Sequence, residues 1–216
     1  MNEGKTTIYF IRHGEVDNPD NLIYGRTIDV HLAQEGFLQI KKLAYTLEKR
    51  GVRPDVIYTS PLTRAIQSTE EIIKVFPNTP VIKKGDLQDT DEAVLAGKTL
   101  EWLKLVGGDE YTLPEFKDQV ERPETIEQRI MGVIKEAIRA NEGKTIFVVS
   151  HGDPLAFAIW RLINPEGELP TIGELNKGNY LKKGEAWKVV ISSNNEVIEN
   201  ELISRDQQLT KGEREF

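Results

Sequence analysis

"YFIRHGEV", residues 9–16, is an apolar run without polar alternation that stops on an arginine, a histidine and a glycine. A strand with one wet face alternates apolar and polar residues. A strand that is apolar throughout is covered on both faces, as in a parallel sheet packed between helices. Thr6 to Ile11, β-branched and aromatic, reads as such a strand, and Arg12 ends it. Working outward, Gln34 to Arg50 carries apolar residues at helical spacing (Phe37, Ile40, Leu43, Ala44, Leu47), with Gly51 as its stop. "DVIYTSPLTRAIQSTEEIIKVF", residues 55–76, repeats the pattern: a short strand, Ser60 as N-cap, Pro61 in the first helical position, and an amphipathic run to Phe76. After a helical stretch from Thr125 to Ala140 it comes a third time, with "KTIFVVS" as strand, "HGDP" as turn and "LAFAIWRLI" as helix. The alternation predicts an α/β fold, a three-layer αβα sandwich around a mostly parallel sheet.

The rest of the chain is bounded by composition. Its 216 residues, 38% hydrophobic and 29% charged, suit one domain spanning 1–216. Residues 84–122 are irregular, with clustered Asp, Gly and Glu around a short helix near Trp102, and read as a lid or insertion beside a site. The end reads as edge strands with a turn at Ser193 to Asn195, then a charged tail from about Ser204. The net charge of −7 argues against a nucleic-acid or anionic-membrane surface. With no cysteine, disulfides, zinc thiolates and cysteine nucleophiles are excluded, and three histidines without short carboxylate spacings make no metal site. No stretch has the length to span a bilayer and the start lacks a long apolar run, so a cytoplasmic address is expected.

In open α/β sheets ligands bind beyond the carboxyl ends of the strands. That rule brings together Arg12 and His13 from the first strand, Ser60 and Arg64 from the second unit, and Ser150 and His151 from the third. Two guanidinium forks suit a tetrahedral, dianionic phosphoryl group. Gly14 and Gly152 follow the histidines and are expected to turn the backbone sharply, baring amides to an anion. A neutral imidazole among cations is a competent nucleophile, and His13 is the candidate, with His151 and the arginines stabilising the charge spread over phosphorus.

Three motifs, "RHGE" at 12–15, "SPLTRA" at 60–65 and "SHG" at 150–152, each after an apolar strand, resemble the histidine phosphatase superfamily, the branch that also holds the cofactor-dependent phosphoglycerate mutases. The resemblance runs from Thr6 to about Val190. It implies a phosphoglycerate mutase-like fold, a small phosphorylated substrate, His13 as nucleophile, and Arg12, Arg64 and His151 as the phosphate pocket, with no metal and no other cofactor. An asparagine beyond the first motif contacts the phosphoryl group in the family; Asn18 is the nearest match. The family's proton donor is typically a Glu in an "LxE" context, and "DLQDTDE" puts Asp89 in that slot, with Asp86, Asp91 and Glu92 also open. "YGR" at 24–26 resembles a loop that leans over the pocket, making Arg26 a candidate substrate contact. Ala33 stands where the family often caps its first helix with threonine, costing about 1 kcal/mol of helix stability.

The expected activity is hydrolysis of a phosphomonoester through a phosphohistidine on His13, with Asp89 as acid and then base. The alternatives are mutase-type phosphoryl transfer and a non-catalytic relative that binds phosphorylated ligands. A mutase grips a carboxylated sugar acid with extra basic residues, whereas 84–122 is rich in acid and has Arg122 as its one arginine, which favours hydrolysis. His31, Trp102, Trp160 and Trp187 read as structural, Glu70 and Glu71 as a solvated helix face, and "KKGE" near 182 as a turn. These motifs do not encode the leaving group or the oligomeric state.

Overall fold

The structure, a computed structural model, describes residues 4–204 except 177 and 179, so the tail expected from about residue 204 lies outside the described residues. Six strands form one sheet in the order β3-β2-β4-β1-β5-β6: β1 (Thr6–Arg12), β2 (Val56–Thr59), β3 (Val81–Lys83), β4 (Thr145–Ser150), β5 (Ala186–Ile191) and β6 (Val197–Ile203). β1 to β4 run parallel, while β5 and β6 add antiparallel. The strand alternation divides the core between two faces. Ile8 and Phe10 pack with Val148 against α4 (Pro123–Ala140) and α5 (Gly152–Ile163). Tyr9 and Ile11 pack with Phe147 and Val149 against α1 (Gln34–Lys49) and α2 (Thr63–Val75). The layers are helix, sheet, helix, as the apolar strands predict. Each fully buried Phe or Ile here contributes roughly 1.5–3 kcal/mol.

Register is what positions the site. Arg12 lies opposite Ser150, and Thr59 opposite Val149, so three strands end at one level. His13 N–H donates to Ser150 O at 3.1 Å and Ser60 N–H to Val149 O at 3.0 Å, carrying the ladder one residue past each strand end.

Several local expectations change. Ser60 is not the cap of α2: the helix starts at Thr63 with Leu62 at the cap position, and the Ser60 hydroxyl bonds His151 while accepting from Leu62 N–H. "HGDP" is not a free turn, since α5 begins at Gly152 with His151 at its cap position and Pro154 in its first turn, where a missing N–H costs nothing. β5 is an interior strand between β1 and β6, leaving β6 and the three-residue β3 as the edges. Glu71 is 8% exposed rather than solvated, and pairs with Lys74. Ala33 does sit at the α1 cap position without a side-chain cap.

Within 84–122 the chain makes two short 3-10 turns and the helix α3 (Leu100–Leu105), gathered on a small apolar cluster of Ile23, Leu95, Leu103, Leu113 and Val120. The last helix, α6 (Ile172–Leu175), opens with a capping box between Thr171 and Glu174. Among the described residues no helix is long and apolar enough to cross a membrane.

Candidate active site

The three strand ends bring His13, His151, Arg64 and Arg12 to one place. The imidazoles of His13 and His151 lie 5.2 Å apart, centroid to centroid, at 59°. His13, Arg64 and His151 are 1%, 0% and 0% exposed, so the charge they handle is shielded from water. His13 Nδ1 lies 2.8 Å from Gly14 O, and since a carbonyl only accepts, Nδ1 carries the proton. Nε2 therefore keeps its lone pair, the state a nucleophile needs. Burial first, then His151, Arg64 and Arg12, hold the His13 pKa well below its usual value, so the ring is neutral at pH 7.

His151 has the opposite arrangement. Its Nε2 is 2.8 Å from Ser60 Oγ, which also accepts from Leu62 N–H. Its Nδ1 points toward Asp89 Oδ2 at 3.5 Å. A proton on Nδ1 faces an acceptor there, while the Ser60 hydroxyl donates to Nε2. Burial, then Arg64 and Arg12, keep this ring neutral too.

Arg64 donates from Nη2 to Gly25 O and to Asp89 Oδ2, both at 2.7 Å, and stacks 4.8 Å from the Tyr24 ring. Arg12 donates to Leu181 O at 2.7 Å and lies 5.0 Å from the Tyr180 ring. Arg12 Nε, Arg64 Nε and Nη1, and His151 Nδ1 are buried without a hydrogen-bond partner. An unpaired buried donor costs about 1–3 kcal/mol, more when charged. Four such donors on three neighbouring cationic or imidazole side chains make sense as the cradle of an anion.

Asp89, from the loop after the first 3-10 turn, sits against this cradle and is held from behind by Arg129 of α4, which donates to the carbonyls of Asp86, Gln88 and Asp89 and to Glu121. Neither Asp86 nor Asp91 lines the cavity that Asp89 faces; Glu92 does. Asp91 is occupied by Arg26 at 2.8 Å, so Arg26 is directed to a salt bridge and lines no part of that cavity. The "YGR" loop reaches the site through Tyr24 and Gly25 instead. Asn18 lines the cavity, yet its amide donates to Leu22 O at 2.9 Å and accepts from Leu22 N–H at 3.0 Å, fixing its own loop.

Both glycines are required by packing, and Gly152 also lines the cavity at the first position of α5. A Cβ on Gly152 would lie 2.2 Å from Tyr180 Oη and 3.0 Å from Arg12 Cζ, so any side chain there displaces the cradle. A Cβ on Gly14 would lie 2.3 Å from Gly36 O, and the Gly14 amide is already spent on Ser68 Oγ at 3.2 Å.

A family model described as the histidine phosphatase superfamily, branch 1, matches residues 8–177. The chain belongs to this superfamily. A probable phosphatase of Schizosaccharomyces pombe is 32% identical over 167 residues, 74% of this chain and 57% of that protein, so the chain spans little over half of its length. A 2,3-bisphosphoglycerate-dependent phosphoglycerate mutase of Corynebacterium kroppenstedtii is 27% identical over 198 residues, 76% of this chain and 79% of that one. Among solved structures, Bacillus stearothermophilus YhfR superposes with a TM-score of 0.75 at 22% identity, covering 89% of this chain and 94% of that one. The histidine phosphatase fold expected from the three motifs is thus the one observed.

Sequence reading missed several members of this site. Tyr24 and Tyr180 flank the arginines, Arg129 holds the Asp89 loop, and Asp153 accepts from the phenols of Tyr111 and Tyr180 at 2.5 Å each. Asp153 alone had a signal: an acid two residues after "SH", in the first turn of a helix.

Proposed function

We propose that this histidine phosphatase hydrolyses a small phosphomonoester in two steps through a phosphohistidine on His13. The observation that carries the proposal is the buried cradle, in which His13 keeps a free Nε2 beside unpaired donors of Arg12, Arg64 and His151. In the first step Nε2 attacks phosphorus in line and the bond from phosphorus to the ester oxygen breaks. The departing oxygen takes a proton from Asp89. Binding a dianion prepares that proton: Arg64 turns from Asp89 to the phosphoryl oxygens, and a carboxyl beside a dianion favours its neutral form. The arginines and His151 Nδ1–H stabilise the equatorial oxygens, where charge spreads. In the second step Asp89 takes a proton from water as its oxygen attacks phosphorus, the P–N bond breaks, and inorganic phosphate leaves with the lone pair restored to His13.

This cradle supplies its own positive charge, so the reaction is proposed to need no metal or other cofactor. The cavity of about 210 Å³ in front of it suits a small metabolite, below the 300 Å³ at which drug-sized ligand sites begin. Its lining favours hydrolysis over mutase chemistry. Glu15, Asp89, Glu92, Glu110 and Asp153 outnumber Arg12 and Lys183, and Lys183 is engaged by Glu15 at 2.5 Å. A bisphosphorylated primer would meet acidic side chains there, with Lys183 already engaged by Glu15, rather than a second set of cations. The intact pair of histidines argues against a binding-only role. We place the work in the cytoplasm, which activity in fractionated cells would check.

The test is phosphate release from p-nitrophenyl phosphate and alkyl phosphates, with and without EDTA. Release unaffected by EDTA supports the proposal; no release, with isomerisation of 3-phosphoglycerate once primed, would make the protein a mutase.

A further inference from the structure

Asp153, in the first turn of α5, carries a carboxylate that the hydrolytic mechanism does not use. It stands two residues after His151 and is 9% exposed. Burying a carboxylate is costly unless its oxygens are hydrogen-bonded, and here each oxygen accepts from a different phenol. Oδ2 accepts from Tyr111 and Oδ1 from Tyr180, both at 2.5 Å. Bonds of this length from a hydroxyl to a carboxylate belong to the strong, charge-assisted class, so each phenol is held in one place.

The two phenols lead to different parts of the site. Tyr180 reaches the phosphate cradle: its ring centroid lies 5.0 Å from Arg12 Cζ, and its hydroxyl is so near Gly152 that a Cβ there would come within 2.2 Å of it. Arg12 also donates to the carbonyl of Leu181, the next residue, so 180 and 181 together fix this guanidinium. Tyr111 belongs to 84–122, and its ring packs edge-on against Phe157 of α5 at 6.2 Å. With its proton given to Asp153, its hydroxyl accepts from Thr90 Oγ1 at 3.1 Å. Thr90 is 2% exposed, and its N–H donates to Asp89 Oδ1 at 3.0 Å. From one carboxylate the contacts therefore run one way to Arg12 and the other way to Asp89.

We propose that Asp153 is a positioning residue, which fixes the Arg12 guanidinium through Tyr180 and the Asp89 loop through Tyr111 and Thr90. The inference rests on the phosphatase reading above and deepens it; Asp153 itself takes no part in phosphoryl or proton transfer. Groups that act on a reacting centre must be held close to their productive geometry by side chains locked behind them, and Asp153 locks two such side chains at once. An amide in its place keeps the shape but presents a donor where one oxygen stood, so one phenol loses its acceptor. A carboxylate that served the fold alone would cost stability when lost and leave the ratio of rates between esters unchanged.

The experiment measures kcat and KM for p-nitrophenyl phosphate and 2-hydroxyethyl phosphate, and inhibition by orthovanadate, in wild type, Tyr180→Phe, Tyr111→Phe and Asp153→Asn. Circular dichroism at the assay temperature confirms that each variant is folded. Tyr180→Phe keeps the ring and frees it from Asp153; it should lower kcat/KM about fivefold or more on both esters alike and weaken orthovanadate by a similar factor. Tyr111→Phe should lower kcat on the alkyl ester at least about threefold more than on p-nitrophenyl phosphate, whose leaving group departs without protonation, and leave orthovanadate inhibition within about twofold. Asp153→Asn should lose about tenfold or more in kcat/KM on the alkyl ester. Rates within about twofold of wild type in all three folded variants overturn the inference, as do equal losses on both esters with unchanged orthovanadate inhibition in every variant; both leave the phosphatase reading standing. No turnover of either ester by wild type overturns that reading and the inference with it. Should Asp153→Asn fail to fold, the two Phe variants, each lacking a single hydroxyl, carry the test.

Discussion

The two ends of the active-site cavity differ in charge and in construction. The phosphoryl end is basic and stands on the ends of β1, β2 and β4, where sheet hydrogen bonds and burial leave His13, Arg64 and His151 at most 1% exposed. The opposite end carries Glu92 and Glu110 from 84–122, a segment that joins the sheet core through Leu87 and otherwise packs largely on a small cluster with Ile23. On the proposed mechanism the strand ends carry the attack on phosphorus, with Asp89 of 84–122 added for proton transfer, and a misplacement of about 1 Å there can cost on the order of a hundredfold in rate. The 84–122 segment is where the proposed reading puts recognition of the leaving group, since exchange of a loop side chain disturbs little else.

Four predictions break or sharpen this contrast. The largest effect belongs to His13→Ala, which removes the nucleophile and should lower kcat by about 10³-fold or more in steady-state assays. Residual turnover near wild type would break the assignment of the chemistry to the sheet end. Next, Asp89→Asn should slow alkyl phosphates by about 10²-fold and p-nitrophenyl phosphate distinctly less, because p-nitrophenolate departs without protonation. Equal losses on both would remove Asp89 from proton transfer and return Glu92 to consideration.

The remaining two concern stability and have opposite signs in pH. His13 and His151 have folded pKa values well below the usual 6.5, so between those values and 6.5 the unfolded chain binds more protons. Stability should therefore fall as pH drops below about 6.5, and denaturant midpoints at pH 5.5 and 7.5 would measure it. Glu92, pushed up from 4.5 to about 9, costs stability as pH rises through that interval, since the unfolded chain gives up a proton that the folded one keeps. Glu92→Gln should stabilise the protein at pH 8 by on the order of 1 kcal/mol, discounted for the partial exposure of this side chain, and do little at pH 4. A variant less stable at pH 8 would contradict the burial cost assigned to the Glu92 carboxylate.

The same division explains what could be read from the chain. β1 and β4 are apolar on both faces, so their strands and the residues delivered at their ends, Arg12, His13 and His151, were legible. Arg64 followed from its helix. Ser60 was read as the cap of α2, but the helix begins three residues later, and the Ser60 hydroxyl reaches His151, 91 residues away, a contact that only the tertiary fold reveals. β3 is three residues long with all side chains exposed, and leaves no periodic trace. β5, taken for an edge, carries the nearly continuous burial of an interior strand in "AWKVVI", a signal that was present. Arg26 and Asn18 looked like ligand contacts by offset alone, and local partners claim both. Glu110, Tyr180 and Arg129 were invisible because their roles come from contacts across long separations, with no motif to mark them.

The most direct test of the mechanism is a rapid alkaline quench of the enzyme during turnover of a ³²P-labelled phosphomonoester, followed by peptide mapping, since phosphohistidine survives alkali and is lost in acid. The account predicts transient label on the peptide carrying His13, acid-labile, absent from His13→Ala and decaying no slower than kcat. Label on another residue, or turnover with no labelled protein and full activity in His13→Ala, would contradict it.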